Sequence, residues 1–134
     1  MASVIYSINQ VDATRFSQGY IVSHSKYDIE PYVFNNNSTL LLTGVQQQQQ
    51  ITLNLVEIKL RPLDWCPDYL SITYNSNSTK LCKKDQFNNI GAVSTDTGQI
   101  TFQFFTNSPR LGRDGNRKGF LLFYRGKSTA LMYC

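Results

Sequence analysis

The side chains that could carry out chemistry in this sequence are few, and their spacing argues against an enzyme. His24 is the only histidine, which excludes metal centres with several histidines and leaves a Ser-His-Asp triad one candidate base. Its neighbours Ser23 and Ser25 lie in a strand-like segment and not in the strained turn that exposes a nucleophile. The stretch RLGRDGNRKG lacks the glycine spacing of a phosphate-binding loop. No catalytic residue is predicted, and His24 is interpreted as a surface or strand histidine.

Three cysteines, Cys66, Cys82 and Cys134, bear on the cellular compartment. There is no C-x-x-C pair and no Cys/His cluster, so neither zinc binding nor thiol redox chemistry is indicated. The stretch CPDYLSITYNSNSTKLC, from Cys66 to Cys82, holds an alternating apolar run and a turn-like Asn/Ser segment. Two interpretations stay open here: a disulfide-closed hairpin of a secreted protein, or two buried free thiols.

Basic side chains form two clusters that could attract an anionic partner. The first consists of Lys80, Lys83 and Lys84, and the second of Arg110, Arg113, Arg117 and Lys118. Sulfated glycosaminoglycans, acidic proteins and nucleic acids all bind such clusters through charge. The net charge is only +4 and Asp114 partly neutralises the second cluster, so a solvated loop is the simpler interpretation. No nucleic-acid-binding module is recognisable, and nucleic acid is not a predicted partner.

Length and composition indicate a single β-rich domain. A chain of 134 residues is long enough for one domain with its own hydrophobic core. Charged residues make up 16%, below the roughly 25% of an average domain, whereas Tyr, Phe, Thr, Ser, Asn and Gln are plentiful. No apolar run reaches the length of about 18 residues that a membrane span needs. The N-terminus lacks the charged start and apolar stretch of a signal peptide, so if the protein is extracellular the sequence is expected to be a mature domain or a cloned fragment.

Alternating apolar and polar positions place the candidate residues on and between short strands. Turn-forming stretches such as NNNST, NSNST and STDTG separate the strands, and the five glutamines at 46–50 are interpreted as a loop or a frayed strand start. No stretch has the periodicity and caps of a helix. We therefore predict an all-β fold, a two-sheet antiparallel sandwich with jelly-roll topology and about eight to ten short strands. The pattern predicts strands at 38–44, 51–55, 69–74, 100–104 and 119–124, with one or two more within 20–34.

One predicted strand, ITLNLVEIKL at 51–60, contains an irregularity. Its apolar positions are odd-numbered from Ile51 to Leu55 and even-numbered from Ile58 to Leu60. Because strand side chains alternate with period two, the phase can shift only at an extra residue. A β-bulge or bend near Val56 and Glu57 is predicted.

In their order and spacing these segments resemble the CUB domain, an extracellular jelly-roll sandwich of about this length. The bent strand LNLVEIKL resembles the family's apolar-x-apolar-x-x-apolar-x-apolar strand, and it is followed by Cys66, by DYLSI at 68–72 and by Cys82. The segments ITFQFFTNS and GFLLFY resemble the strands that close the family's pattern. The chain departs from the family because no cysteine precedes Cys66, which removes the usual first disulfide. A single residue, Pro67, also separates Cys66 from Asp68 where the family usually has two.

The resemblance divides the chain into an N-terminal extension or first strand at 1–15, the sandwich at 16–125 and a C-terminal tail at 126–134. It implies an extracellular location, as a secreted protein or the ectodomain of a surface protein, without membrane insertion. The implied partners are an extracellular protein or a glycan, with a homo-oligomer or an interchain link through Cys134 as further options.

A disulfide between Cys66 and Cys82 follows from the resemblance. It would close a loop of about 15 residues, for which the loop-entropy estimate is about 3 kcal/mol. Cys134 would then have no partner within the chain. Trp65, next to Cys66, is predicted to pack against the bridge, and the alternative is an exposed anchor at an interface. Four phenylalanines are predicted to face the core and the sheets: Phe102, Phe104, Phe120 and Phe123.

The resemblance also raises the question of a metal, because many CUB domains hold a calcium ion with two carboxylates and a further aspartate. Asp68 falls on the central aspartate position, and Asn107, beside Ser108, falls on the last one. The preceding acidic position falls on Leu60 or Arg61, neither of which ligates calcium. This partial set predicts no cofactor and leaves calcium as the single candidate. Asp64 and Asp114 are the carboxylates that would substitute for the missing ligands if the loops brought them close. Asp68 is interpreted as a hydrogen-bond acceptor that organises a loop.

Three Asn-x-Ser/Thr sequons, at Asn36, Asn37 and Asn77, lie in predicted polar turns, where a glycan would be exposed. Asn36 and Asn37 overlap, so only one of these two is expected to be modified. A sequence rich in Asn and Ser also produces sequons by chance.

The function that the resemblance implies is a non-catalytic extracellular interaction or adhesion module. It would bind a protein partner, or a second copy of itself, through loops at one end of the sandwich, around Asp68, 80–84 and 107–117. The alternative is a glycosaminoglycan- or carbohydrate-binding protein similar to the stand-alone spermadhesins, which would use the basic loops 80–84 and 110–118. A cytosolic jelly roll with free cysteines, such as a viral structural protein, is the third hypothesis.

Overall fold

A computed structural model describes residues 4–6, 10–12, 18–43, 49–83, 91–94, 98–111 and 117–128. The described residues form ten β-strands and a short 3-10 turn at Pro109–Leu111. The strands are β1 (Val4–Tyr6), β2 (Gln10–Asp12), β3 (Gln18–Val22), β4 (Asn37–Thr43), β5 (Gln49–Lys59), β6 (Tyr69–Tyr74), β7 (Asn77–Leu81), β8 (Ala92–Ser94), β9 (Ile100–Phe105) and β10 (Gly119–Ser128). Within these ranges, no helix is long and apolar enough to cross a membrane.

The strands pair into two five-stranded sheets. Sheet I has the order β1-β3-β10-β5-β8, and sheet II has the order β2-β4-β9-β6-β7. In each sheet four strands are antiparallel, and a short strand, β1 or β2, joins the edge in parallel. If the strands from β3 to β10 are renumbered from one to eight, the antiparallel orders are 1-8-3-6 and 2-7-4-5. These are the strand orders of a jelly roll, so the predicted fold class is confirmed.

The hydrophobic core lies between the sheets and follows the predicted alternation. In β9 the residues Ile100, Phe102 and Phe104 are buried, and those between them are half-buried. The same alternation runs through β10, where Phe120 is buried and Phe123 is half-buried. Phe123 therefore lies on the outer face, where its ring packs 5.1 Å from that of a tyrosine of β3.

The predicted irregularity in β5 is confirmed as a β-bulge. Leu121 of β10 pairs with Glu57, and Leu122 pairs with Leu55, so Val56 is the extra residue. Because of this extra residue, the side chain of Glu57 reaches the loop that follows β3.

Of the one or two strands predicted within residues 20–34, one forms. The structure describes all of these residues, and the strand ends at Val22. Asp28 and Asn35 have φ angles of 68° and 55°, which are incompatible with a strand, and Pro31 lacks a backbone donor. Tyr32, which an extended chain would place on a sheet, is instead buried beneath the connection from β3 to β4.

Candidate functional site

Three connections between the two sheets meet at one end of the sandwich. They are residues 23–36 between β3 and β4, 60–68 between β5 and β6, and 106–118 between β9 and β10, of which 112–116 lie outside the described residues. Backbone hydrogen bonds join the first to the third: Asn35 N donates to Asn107 O at 3.1 Å, and Tyr32 N donates to Arg117 O at 3.0 Å. We call the described part of these connections the loop end.

The disulfide between Cys66 and Cys82 joins the second connection to the end of β7. The Cα atoms are 5.7 Å apart, as a bridge requires, and both cysteines are buried. The predicted pairing is confirmed. Cys134 lies outside the described residues.

Trp65, which was predicted to pack against this bridge, is largely exposed. Cys66 N donates to Leu63 O at 3.0 Å, which makes Asp64 and Trp65 the corner of a tight turn. The corner faces solvent, and 58% of Trp65 is exposed.

Asp68 lies at the centre of the loop end and is fully buried. Its Oδ1 accepts hydrogen bonds from Arg61 Nη2 at 2.6 Å and Asn107 N at 2.8 Å. Its Oδ2 accepts hydrogen bonds from Arg61 Nε at 2.7 Å and the Tyr32 hydroxyl at 2.5 Å. A carboxylate offers about four lone-pair positions, so these four donors saturate it. Asp68 therefore organises the loops as an acceptor, the role predicted for it.

The side chain of Arg61 connects all three parts of the loop end and is only 1% exposed. Besides Asp68, its guanidinium donates from Nη1 to Ser108 O at 2.7 Å, in the third connection. The guanidinium also lies 4.6 Å from the centre of the Phe34 ring, in the first connection. Arg61 N donates to the Tyr32 hydroxyl at 3.1 Å. Neither Arg61 nor Tyr32 was predicted as a site residue. The comparison with the family's calcium ligands did, however, place Arg61 or Leu60 at the position of an acidic ligand, which was a signal that a cation could lie there.

The charges of this cluster are set by its hydrogen bonds. Burial alone would raise the pKa of Asp68, but the hydrogen bonds from Arg61 and Tyr32 outweigh burial and hold that pKa below its ordinary value. The hydrogen bond to Asp68 raises the pKa of Arg61. Burial and the hydrogen bond to Asp68 raise the pKa of Tyr32. At neutral pH the cluster is therefore a buried carboxylate–guanidinium pair with a protonated tyrosine.

The predicted metal residues lie together, but their oxygen atoms accept hydrogen bonds from the protein. Asn107 Oδ1 accepts from Ser108 N at 2.7 Å, and Ser108 Oγ accepts from Arg110 N at 3.1 Å. Asp68 is saturated as described above. Among the described residues no group of three or more His, Cys, Asp or Glu side chains could hold a metal ion. Calcium therefore does not fit the donors among the described residues, which do not include Asp114.

Two of the basic residues predicted to bind between 110 and 118 are held by contacts within the domain. The Arg117 guanidinium lies 4.1 Å from the centre of the Phe34 ring, and Lys118 forms ion pairs with two carboxylates. Arg110 is exposed, whereas Arg113 lies outside the described residues. The structure thus reduces the number of cations in this loop that a polyanion could reach.

In the cluster of Lys80, Lys83 and Lys84, the two described lysines also contact other residues of the domain. Lys80 Nζ lies 4.2 Å from the centre of the Tyr69 ring. Lys83 Nζ is 3.1 Å from the carboxylate of Asp64 at an exposed position. Lys84 lies outside the described residues. Both described lysines thus have partners within the domain.

A second cluster of charged residues joins the first connection to the bulge of β5. Lys118 Nζ is 2.8 Å from Glu57 and 3.1 Å from Asp28, and the Tyr27 hydroxyl donates to the Glu57 carboxylate. The hydrogen bond from Lys118 and that from Tyr27 lower the pKa of Glu57. The same contact with Glu57 raises the pKa of Lys118.

We expect Glu57 to stabilise the fold only where it is ionised. Because its pKa is lower in the folded than in the unfolded chain, its contribution is present above its ordinary pKa and is lost as the pH falls through the folded value. Urea unfolding of Glu57→Gln and the natural chain should therefore differ at pH 7, by up to about 1 kcal/mol, and converge in acid. Glu30→Gln, at an exposed position of the same connection, is the control and should show no such convergence. A difference independent of pH would contradict the assignment.

His24 has a structural role at the start of the first connection. Its Nε2 donates to Glu30 O at 2.8 Å, so in the neutral ring Nδ1 accepts the hydroxyl of Ser23 at 2.7 Å. Ser23 is buried against Gly119, where an added Cβ would lie 1.9 Å from the Ser23 Oγ. The Ser23 hydroxyl therefore lies in a packing contact with β10, which fits the structural role of His24.

The sequon residues lie at strand starts and not in turns as predicted. Asn37 is the first residue of β4, and Asn77 is the first residue of β7, directly after the two-residue turn Asn75–Ser76. Both are exposed, and Asn37 Oδ1 accepts from Gln103 Nε2 at 2.8 Å. Asn36 is tied by its backbone to Thr106, with Thr106 N donating to Asn36 O at 2.8 Å. Glycosylation of these residues stays a prediction.

Exposed apolar side chains mark the loop end, and none was among the predicted site residues. Ile29 and Val33 of the first connection are 76% and 65% exposed. Trp65 projects from the second connection, and Leu111 is exposed in the third. The remaining exposed large apolar residue of the described chain, Val56, lies at the bulge of β5. For Ile29 and Val33, the sequence signal of exposure was their position on either side of Pro31, which cannot continue a strand ladder.

A jelly-roll sandwich whose disulfide ties the β5–β6 connection to β7 has the architecture of a CUB domain. Solved structures bear this out: the CUB1-EGF-CUB2 domains of rat MASP-1 align with a TM-score of 0.62 and 15% identity, over 88% of this chain and 42% of that one. The human MASP-1/3 CUB1-EGF-CUB2 domain aligns with a TM-score of 0.63 and 17% identity, over 84% and 43%. The MASP-1 CUB2 domain bound to Ca2+ aligns with a TM-score of 0.58 and 21% identity, over 90% and 99%. The chain has a CUB-like fold.

This likeness lies in the fold. No protein-family model and no curated protein sequence matches the chain. The chain spans about two fifths of the rat and human CUB1-EGF-CUB2 chains. It is also similar, with a TM-score of 0.63, to the full extracellular region of zebrafish Gpr126/Adgrg6, of which it spans 15%.

Proposed function

We propose that this chain is a non-catalytic extracellular interaction module that binds a protein partner through the loop end. The observation that carries the proposal is the placement of its exposed apolar residues. Ile29, Val33, Trp65 and Leu111 all lie on the three connections of the loop end. Exposed apolar side chains scattered singly over a surface are ordinary, whereas their concentration on one group of connections is what an interaction site would show.

The chemistry of these residues favours a protein over a glycan as the partner. Tryptophan is among the residues that contribute most to binding energy at protein interfaces, and aliphatic side chains surround such anchors and exclude water. Trp65 is the only tryptophan of the chain, and it is exposed at the corner of a turn next to a disulfide. The ion pair of Lys83 with the neighbouring Asp64 supplies polar groups beside it.

The extracellular location is supported by the disulfide and by the neighbours. Structural disulfides persist in oxidising compartments and are rare in the cytosol. The bridge between Cys66 and Cys82 is buried within the fold, and one structural neighbour is by its own description an extracellular region. A cytosolic jelly roll with free cysteines, the third hypothesis, is disfavoured by this bridge.

Binding of a sulfated glycan is the second candidate, and the contacts of the basic residues count against it. A polyanion is held by accessible cations, but Arg117, Lys118 and Lys83 lie against rings or carboxylates of the domain itself. Arg110 and Lys80 are exposed and have no ion pair among the described residues, and Lys80 Nζ lies over the ring of Tyr69.

The test compares the natural chain with a loop-end variant carrying Ile29→Ser, Val33→Ser and Trp65→Ala. Both are incubated with extracellular proteins from the native source, and retained proteins are quantified by mass spectrometry. We expect a specific protein to be retained at least about 10-fold more by the natural chain, the loss that removal of an interface anchor produces. Val56→Ser, an equivalent change at the bulge, is the control and should retain the partner.

Two further measurements separate the alternatives. Sedimentation of the natural chain and the loop-end variant shows whether the partner is a second copy. Chromatography on heparin, compared with Arg110→Ala, shows whether a polyanion binds. Equal protein retention by the natural chain and the loop-end variant would contradict the proposal, and heparin retention that depends on Arg110 would favour the glycan-binding function.

A further inference from the structure

The loop end is organised around a buried cation that belongs to the chain itself. The guanidinium of Arg61 lies between the Asp68 carboxylate, the Ser108 carbonyl and the Phe34 ring, with its side chain 1% exposed. Three oxygen atoms from two connections therefore converge on one buried positive charge. A convergent set of carboxylate and carbonyl oxygens is also what a hard metal ion requires.

The donors leave no room for a metal ion beside this charge. Calcium takes six to eight oxygen ligands, whereas both oxygens of Asp68 are saturated by Arg61, Tyr32 and Asn107. The Ser108 carbonyl accepts from Arg61, and the Asn107 side chain accepts from the backbone of Ser108. A metal ion could bind only if the buried guanidinium moved away, because the two cations would otherwise repel each other at close range.

We propose that the Arg61 guanidinium takes the role of a bound metal ion in ordering the loop end, so that the domain is calcium-independent. This distinguishes the chain from the structural neighbour that is bound to Ca2+. The guanidinium suits the role because it is planar, remains charged at all relevant pH values and donates in a fixed fork to a carboxylate. The inference concerns how the loop end is ordered and holds whatever partner the loop end binds.

The first experiment uses the natural chain and needs no substitution. Its melting temperature is measured in about 5 mM calcium chloride and in excess EGTA, at matched ionic strength. A ligand that binds only the folded state must raise the melting temperature. We expect the two values to agree within about 1 °C, whereas a rise of about 3 °C or more in calcium would overturn the proposal.

The second experiment asks whether the position of Arg61 is a cation site. Arg61→Ala removes the guanidinium and is expected to melt well below the natural chain. Guanidinium chloride at about 20 mM, too dilute to denature, should raise the melting temperature of this variant by about 2 °C or more relative to sodium chloride. Arg117→Ala is the matched control, because Arg117 also stacks on Phe34. Arg117 is only half-buried and forms no ion pair with a carboxylate among the described residues, so no rescue is expected.

A folded Arg61→Ala variant that guanidinium does not stabilise, or that it stabilises no more than Arg117→Ala, would overturn the assignment of a cation site. If Arg61→Ala does not fold, Arg61→Lys takes its place, since lysine keeps the charge but lacks the fork. Arg61→Lys is expected to melt below the natural chain and to gain no stability from calcium. A calcium-dependent rise in that variant would also contradict the proposal, because the position would then accept a metal beside a protein cation.

Discussion

Replacing Asp68 by asparagine is expected to lower the free energy of unfolding by about 3–5 kcal/mol, because it leaves the buried charge of Arg61 without its counterion. The change preserves the size of the side chain, so the loss reports charge and hydrogen bonding and not a cavity. The measurement is urea unfolding followed by circular dichroism at pH 7, compared with the natural chain. The variant should reach its midpoint at a much lower urea concentration, with a similar slope.

Asp64→Asn is the matched control for this substitution. Asp64 also pairs with a cation, Lys83, but its side chain is 98% exposed. Its loss should change the free energy of unfolding by no more than about 1 kcal/mol, as for other exposed ion pairs. Equal effects at the two positions would mean that Asp68 is not a buried counterion.

A double substitution distinguishes the cost of an unpaired buried charge from the cost of lost side-chain packing. Arg61→Met with Asp68→Asn removes both charges, so the combined destabilisation should be smaller than the sum of the two single effects. Additive effects would indicate that the two residues do not act as one unit.

Removal of the disulfide is the second large effect that we expect. Cys66→Ala together with Cys82→Ala should lower the free energy of unfolding by about 3 kcal/mol, because the unfolded chain is no longer constrained over the 16-residue separation of the two cysteines. Urea unfolding with and without a thiol reductant measures this effect. The reductant should destabilise the natural chain and leave the double variant unchanged, and a natural chain indifferent to full reduction would contradict the prediction.

The strands were predictable where alternation alone determines burial. Strand β6, Tyr69–Tyr74, has the bounds that were predicted. Strand β9 was predicted at 100–104 and continues one residue further, to Phe105. The bulge at Val56 was predictable because a period-two pattern cannot change phase without an extra residue. The region after β3 was not predictable in this way, because Tyr32 lies outside any strand and packs against Asp68 of another connection and Phe104 of β9.

The candidate site could be predicted only in part. Asp68 was recognisable as a loop-organising acceptor, and the pairing of Cys66 with Cys82 followed from a family resemblance. The partners of Asp68 could not be foreseen, since Tyr32 and Asn107 are 36 and 39 residues away and no periodic pattern links them. The exposure of Trp65 depends on a single turn at Leu63–Cys66. Alternation of apolar and polar residues does not predict the position of one such turn.

The concentration of covalent and ionic links at the loop end has a consequence for the dynamics of the domain. In most sandwiches the connections open locally far more often than the central strands do. Here the connections around Asp68 cannot open without exposing a charged pair and moving a cystine, so their amide protons should exchange with solvent on the timescale of global unfolding. The chain thus loses the conformational entropy of these segments when it folds, and a partner that docks there does not have to order them again.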